Sequence, residues 1–263
     1  KLRVLEGATE IMSGEKTGKT SSTKAKHFPP EIIDAIHNEA ENRDINSTQG
    51  QSLYLLNAFV RANILLGLRP IEWLNTEIEY DEIRNVHIFR VLNAKHSHGR
   101  ANGETREILL KKVSEKEIAS IMHFRSIMET AKENTAPEKY IENMGAIFEN
   151  MNNCLRRLIH RRFPGIQQRP TIYSTRHQVV SDAKAAGMSA VSIAAFFGHA
   201  SIKTARKHYG VRHKGSRRPF RFQPSQESVK AVRSHLMRVG IPATSIPQHV
   251  LDQAQSLYEQ LRP

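Results

Sequence analysis

The stretch YSTRHQVVSDAKAAGMSAVSIAAFFGHASIKTARKHYG, residues 173–210, sets Tyr173, Arg176, His177, His199 and Tyr209 at the turns and ends of three short predicted helices. A permanent guanidinium, imidazoles and phenolic hydroxyls are groups that bind anions and donate hydrogen bonds to them. Gly187 stops the first helix, as a residue suited to the C′ position. Ser189 caps the second, whose run Val191, Ile193, Ala194, Ala195, Phe196, Phe197 reads as buried. Gly198 ends that helix, and Ser201 caps a third that ends near Tyr209. A buried helix between Arg176 and His199 predicts that both of its ends reach one surface. No Asp or Glu occurs between Cys154 and Val180, or between Ser201 and Gln226. The surface around the cluster is therefore expected to be positive, a site for an anion and best suited to a polyanion.

The elements that must position this cluster follow from the rest of the chain. Residues 1–28 are rich in Ser, Thr, Lys and Gly and read as a linker or N-terminal arm. Pro29-Pro30 opens a helix to about Asn42, with Ile32, Ile33, Ile36 and Ala40 at helical spacing. Ser47 or Thr48 caps the next helix, QSLYLLNAFVRANILL, which is apolar almost all round and so predicts a central core helix. Gly67 ends it, and Pro70 starts a new helical turn, which holds Arg69 at a junction. The period then changes: VHIFRVL (86–92) and TREILL (105–110) read as paired strands, with Asn102-Gly103 marking a turn. Lys95, His96, His98 and Arg100 form a basic connection between them. Ser114-x-x-Glu117 is a capping box for a helix to about Asn134, and Thr135-Ala136-Pro137-Glu138 reads as another, for a helix to about Phe163. That last helix ends in a basic stripe, Arg156, Arg157, His160, Arg161 and Arg162. The fold class expected is α+β, mostly α-helical, with a small antiparallel sheet.

Composition narrows the partners. The chain has 263 residues and a formal net charge of +13 from 39 Lys and Arg against 26 Asp and Glu. Such a balance points to nucleic acid or an acidic membrane surface. No apolar run approaches the ~18 residues of a membrane span, and the first residues lack the apolar core of a signal peptide. The single cysteine, Cys154, excludes an internal disulfide and fits a reducing compartment. Two loop imidazoles, His96 and His98, without further ligands do not make a metal site. The chain begins at Lys1, which suits a piece of a longer protein.

Read in order, GLRPIEW, a lysine in a hairpin, YSTRH, GHAS and Tyr209 resemble the tyrosine recombinase (phage integrase) family. Family members show GLR with an acidic residue three positions after the arginine, here Glu72; then H-x-x-R-H; then LGHSS; then a tyrosine nine or ten residues after that histidine. Here His199 follows Arg176 by 23 residues and Tyr209 follows His199 by ten. The resemblance covers about residues 29–210, and Tyr173 stands where the family usually has histidine. It implies a catalytic DNA breaking and rejoining domain over 29–210, with a basic strip and helical tail over 211–263. It also implies an upstream DNA-clamping domain, of which the sequence shows no obvious sign.

The chemistry implied is attack of Tyr209 on a phosphodiester, giving a covalent 3′-phosphotyrosine and a free 5′-hydroxyl. Arg69 and Arg176 would clamp the non-bridging oxygens, which lysine does less well. Lys95 would protonate the leaving oxygen, His199 would hydrogen-bond the phosphate or assist Tyr209, and Glu72 would orient an arginine. Tyr173 would donate a hydrogen bond; the alternative is a ring that only packs beneath Arg176. Lys111 is the alternative to Lys95. Arg161, Arg162, Lys203 and Lys207 are the expected phosphate contacts outside the centre, against a reading as solvated helix faces. Neither ATP nor metal is required, because the bond energy stays in the covalent link. The implied partners are double-stranded DNA and three further copies of the chain on paired sites, with no membrane and no small-molecule substrate. The implied location is the cytoplasm of a bacterium, the gene being bacterial or phage-borne. A type IB topoisomerase or telomere resolvase would share the site, and a non-catalytic DNA-binding module is the reading from another class.

Overall fold

A computed structural model describes residues 25–94, 101–111, 113–202, 214–216 and 220–232. The helices are α1 (Pro30–Glu41), α2 (Thr48–Leu66), α3 (Glu115–Glu133), α4 (Tyr140–Arg162), α5 (Ser174–Ala185), α6 (Ala190–Phe196) and α7 (Gln226–Lys230). The strands are β1 (Thr76–Asp81), β2 (Val86–Leu92), β3 (Thr105–Leu110) and β4 (Phe222–Pro224), antiparallel in the order β1-β2-β3-β4. The class is α+β, mostly helical, with one small antiparallel sheet.

The apolar helix α2 is the centre, packing against α1, α3, α4 and α5. Ser47 caps it by accepting from the Gly50 N–H, which satisfies one of the orphan donors of the first turn. Phe59 on α2 meets Phe124 of α3 edge-on at 5.3 Å and Phe148 of α4 at 6.2 Å. Trp73, on the 3₁₀ turn Pro70–Leu74, carries this core to the sheet through Phe124 at 5.0 Å and Phe89 at 5.9 Å. Edge-to-face pairs of this kind are favourable by about 1 kcal/mol beyond the area they bury.

The hairpin strands fall where the alternating pattern puts them, paired from Leu92↔Thr105 to His87↔Leu110. The capping box at Ser114 and Glu117 forms. Three local expectations are corrected. Thr135 caps no helix: its hydroxyl donates back to Ala131 O at 2.7 Å, and α4 instead follows a 3₁₀ turn at Pro137–Lys139. Val191 is exposed rather than buried, because it lies on the outer side of a seven-residue helix. The sheet has four strands rather than two; β1 pairs along β2, and β4 pairs with β3 from Ile108↔Pro224 to Leu110↔Phe222. Ser225 then caps α7 by accepting from the Ser228 N–H.

From the N-terminal arm, Ala25 and Phe28 are buried against α5. Ser174 Oγ donates to Ala25 O and the Phe28 N–H donates to Gln178 Oε1. Residues 1–24, 203–213, 217–219 and 233–263, which include Tyr209 at the end of the third expected helix and much of the basic strip and helical tail, lie outside the described residues.

Candidate functional site

One buried amide builds the junction after α2. Asn63 accepts from the Leu68 N–H at 2.8 Å and from Trp73 Nε1 at 3.0 Å. It donates to Leu68 O at 3.1 Å and to Thr175 Oγ1 at 2.8 Å. All of its capacity is used, so this polar side chain fixes the Gly67–Pro70 turn against the start of α5. Gly67 sits at φ 59°, and a Cβ there would come within 2.9 Å of both Phe197 and Val179. Both the conformation and the close approach require glycine. Arg69 therefore leaves the junction in a fixed direction, and Glu72, one 3₁₀ turn on, accepts its backbone N–H at 2.9 Å.

On the facing side, α5 presents Arg176 and the end of α6 presents His199. The α6 helix closes with the His199 N–H bonded to Ala194 O and the Gly198 N–H to Ala195 O, a Schellman turn with Gly198 at φ 65°. Arg176 donates to Gly67 O at 2.8 Å and to Phe197 O at 2.6 Å, so it ties the C-terminal ends of α2 and α6 together. Its guanidinium also lies 5.0 Å from the centre of the Phe197 ring and 3.4 Å from His199 Nε2. A guanidinium only donates, so His199 Nε2 is the acceptor and the proton of the neutral ring sits on Nδ1.

Glu72 is the hub. Its carboxylate meets Arg69 at 2.5 Å, Arg106 at 2.8 Å and Arg176 at 3.7 Å. Burial alone would raise its pKa, but Arg106, Arg69 and Arg176 hold the carboxyl well below the usual carboxylate range. Counted over these four side chains alone, three guanidiniums and one carboxylate carry a net charge of two positive. Arg106, Glu72 and Arg176 are each no more than 1% exposed and Arg69 is 8% exposed. Holding three guanidiniums about one carboxylate out of water is costly, and an anion placed beside them would offset part of that cost. The sequence predicts Arg176 and His199 at a surface; the structure buries both, His199 at 2% exposure, beneath the surrounding chain.

The same cations keep His199 neutral. Burial, then Arg176, Arg69 and Arg106, push its pKa down to about 2, and burial with Arg176 and Lys26 takes His177 down to about 4. In the unfolded chain both imidazoles titrate near 6.5. Below about pH 6.5 the unfolded state thus binds protons that the folded state refuses, and folding stability falls on acidification. The slope from His199 alone reaches at most ~1.4 kcal/mol per pH unit. Urea denaturation between about pH 7.5 and 5 should show this decline, and His199→Gln should flatten it in part. Equal stability across that range would contradict the buried neutral imidazole.

The structure thus brings together Arg69, Glu72, Arg176 and His199. Tyr173 is half-buried immediately before α5, its ring edge-on to His177 at 5.6 Å. Lys95, Lys203, Lys207 and Tyr209 lie outside the described residues. Arg161 and Arg162 are exposed and both pair with Glu39 of α1, not with the buried cluster. Arg106 and Asn63 belong to the site and were not singled out from the sequence. Among the described residues no group of His, Cys, Asp or Glu could hold a metal ion, and no helix is long and apolar enough to cross a membrane. No family model, curated protein or solved structure matches the chain.

Proposed function

We propose that this chain is a site-specific DNA recombinase that cleaves and rejoins strands through a covalent 3′-phosphotyrosine at Tyr209. The observation that carries the reading is the buried cluster of Arg69, Arg176 and Arg106 around Glu72, with His199 against Arg176. An in-line attack on a phosphodiester raises the charge on the non-bridging oxygens from one towards two, and the excess of two positive charges matches that change. Fixed guanidiniums in a dry site need no reorganisation as the charge grows, which is where such preorganisation has its largest effect. A neutral His199 donates through Nδ1–H and adds no further charge.

In this reading Tyr209 releases its phenolic proton to solvent as its oxygen bonds to phosphorus, the 5′-oxygen leaves and takes a proton from Lys95, and reversal with another strand's 5′-hydroxyl returns a proton to Lys95 and restores the tyrosine. The phosphodiester energy is kept in the tyrosyl link, so rejoining draws on no ATP. Glu72 holds Arg69, the more exposed of the two arginines of the paired motifs, for contact with the phosphate, while buried Arg176 adds its charge from behind. Exchange between two DNA sites requires four such centres, hence a homotetramer on paired duplexes. The net charge of +13 supports DNA as the partner.

The test is incubation of the full chain with a pool of nicked random-sequence duplexes, denaturation, and sequencing of the DNA that stays attached. Covalent capture of one recurring sequence is the expected result. Capture without sequence preference, together with relaxation of supercoiled plasmid, would indicate a topoisomerase, and no capture would refute strand cleavage.

A further inference from the structure

We propose that Arg106 is a positioning residue of this centre, one that neutralises Glu72 and locks the base of the β2–β3 connection to the turn bearing His199. The proposal rests on the strand-cleavage reading above.

Arg106 lies on the inward face of β3 together with Ile108 and Leu110, where a charged side chain is otherwise excluded. It is buried to 1% exposure, and four of the five N–H donors of its planar fork are engaged. Nη2 donates to Glu72 Oε2 at 2.8 Å and Nη1 reaches Glu72 Oε1 at 3.3 Å. Nη1 also donates to Asn93 Oδ1, and Nε donates to Phe196 O at 2.8 Å. One guanidinium thereby joins the 3₁₀ turn of the cluster, the last residue before the Ala94-Lys95 connection, and the C-terminal end of α6.

The surrounding geometry is built for that fork. A Cβ on Gly198 would lie 2.3 Å from Asn93 Oδ1 and 2.9 Å from Arg106 Nη1, so the residue beside His199 must be glycine for Arg106 to pass. Asn93 in turn donates to Gly103 O at 3.0 Å, which closes the neck of the connection. Asn102 donates to Ala195 O and to Ser228 O, both at 3.2 Å, and pins the same neck to α6 and α7. The Ala94 N–H points at Glu72 Oε1, 3.5 Å away.

The electrostatic consequence is separate from the geometric one. Without Arg106, the Glu72 carboxylate would be shared by Arg69 and Arg176 alone, and the charge left for a phosphate would fall by one. A lysine cannot replace this: it keeps the charge but offers a single point of donation, so it cannot span both carboxylate oxygens, Asn93 and Phe196 O at once.

The test uses the full chain and the duplex recovered by covalent capture, made as a nicked suicide substrate. Single-turnover adduct formation is followed to completion at saturating protein, giving a rate constant and an amplitude, alongside noncovalent affinity for intact duplex. Arg106→Met should react to near wild-type amplitude with a rate constant reduced about 10²-fold, the order of one lost preorganised contact, and with affinity changed by less than about threefold. Arg106→Lys should recover part of that rate, to within about tenfold of wild type. A merely structural arginine predicts the opposite pattern, lower amplitude at an unchanged rate constant, because only the folded fraction reacts. That pattern, or a wild-type rate constant in both variants, would overturn the proposal. If Arg106→Met does not fold, Arg106→Lys decides alone, by whether rate or amplitude falls. Absence of any adduct with the wild-type chain removes the underlying reading and this inference with it, whereas an adduct whose rate ignores Arg106 removes the inference only.

Discussion

Glu72→Ala should lower folding stability by about 3–5 kcal/mol, the cost of leaving buried charge without its partner. Glu72 is 1% exposed and lies within salt-bridge distance of three guanidiniums. Removal of the carboxylate leaves three guanidiniums that it had joined close together in a buried region, with no counter-charge from Glu72. The substitution also removes the acceptor for the Arg69 N–H, a further unsatisfied donor at the start of the 3₁₀ turn. Glu72→Gln keeps the volume and one acceptor oxygen but not the charge, and should fall between alanine and wild type. Equilibrium urea denaturation near pH 7, read by two probes to check two-state behaviour, measures both. A loss under about 1 kcal/mol for alanine would mean that the cluster is solvated, against the burial on which the site rests.

The buried helix α2, the strands β2 and β3 and the stops at Gly67 and Gly198 follow from period, capping and glycine placement, each a local property. The meeting of Arg69, Glu72, Arg176 and His199 was legible because the order and spacing of short motifs resembled a family pattern. Arg106 was not: alternation puts it on the face of Ile108 and Leu110, but a lone arginine near a strand end ordinarily reaches solvent, and only the buried carboxylate of Glu72 from another element explains why it stays inside. Asn63 was hidden in the same way, as one amide in an apolar run whose four partners come from the next turn and from α5. Strand β1 is missed because TEIEYD is largely exposed and carries three acids, so its pairing depends on β2 and not on its own composition. Strand β4 is three residues long and pairs over a separation of more than a hundred residues, which no local pattern records. The depth of Arg176 and His199 depends likewise on packing from several elements.

The largest effect is expected at Tyr209. Phenylalanine there keeps the ring but removes the only atom able to bond to phosphorus, so adduct formation should fall by at least about 10⁴-fold, as it does when a covalent nucleophile is lost. On the strand-cleavage reading, affinity for intact duplex should be unchanged within a few-fold, because phosphate contacts across a basic surface would dominate it. Loss of binding together with cleavage would instead describe a structural tyrosine.

The most direct measurement is the identity of the residue that carries the DNA. Full-length protein is reacted with the captured duplex, digested with protease and nuclease, and the nucleotide-bearing peptide is sequenced by mass spectrometry. The expected result is a single modified peptide containing Tyr209, linked through a 3′-phosphate, and no modified peptide from Tyr209→Phe. A nucleotide on any other residue, a 5′-phosphate linkage, or an adduct that persists in Tyr209→Phe would contradict the assignment.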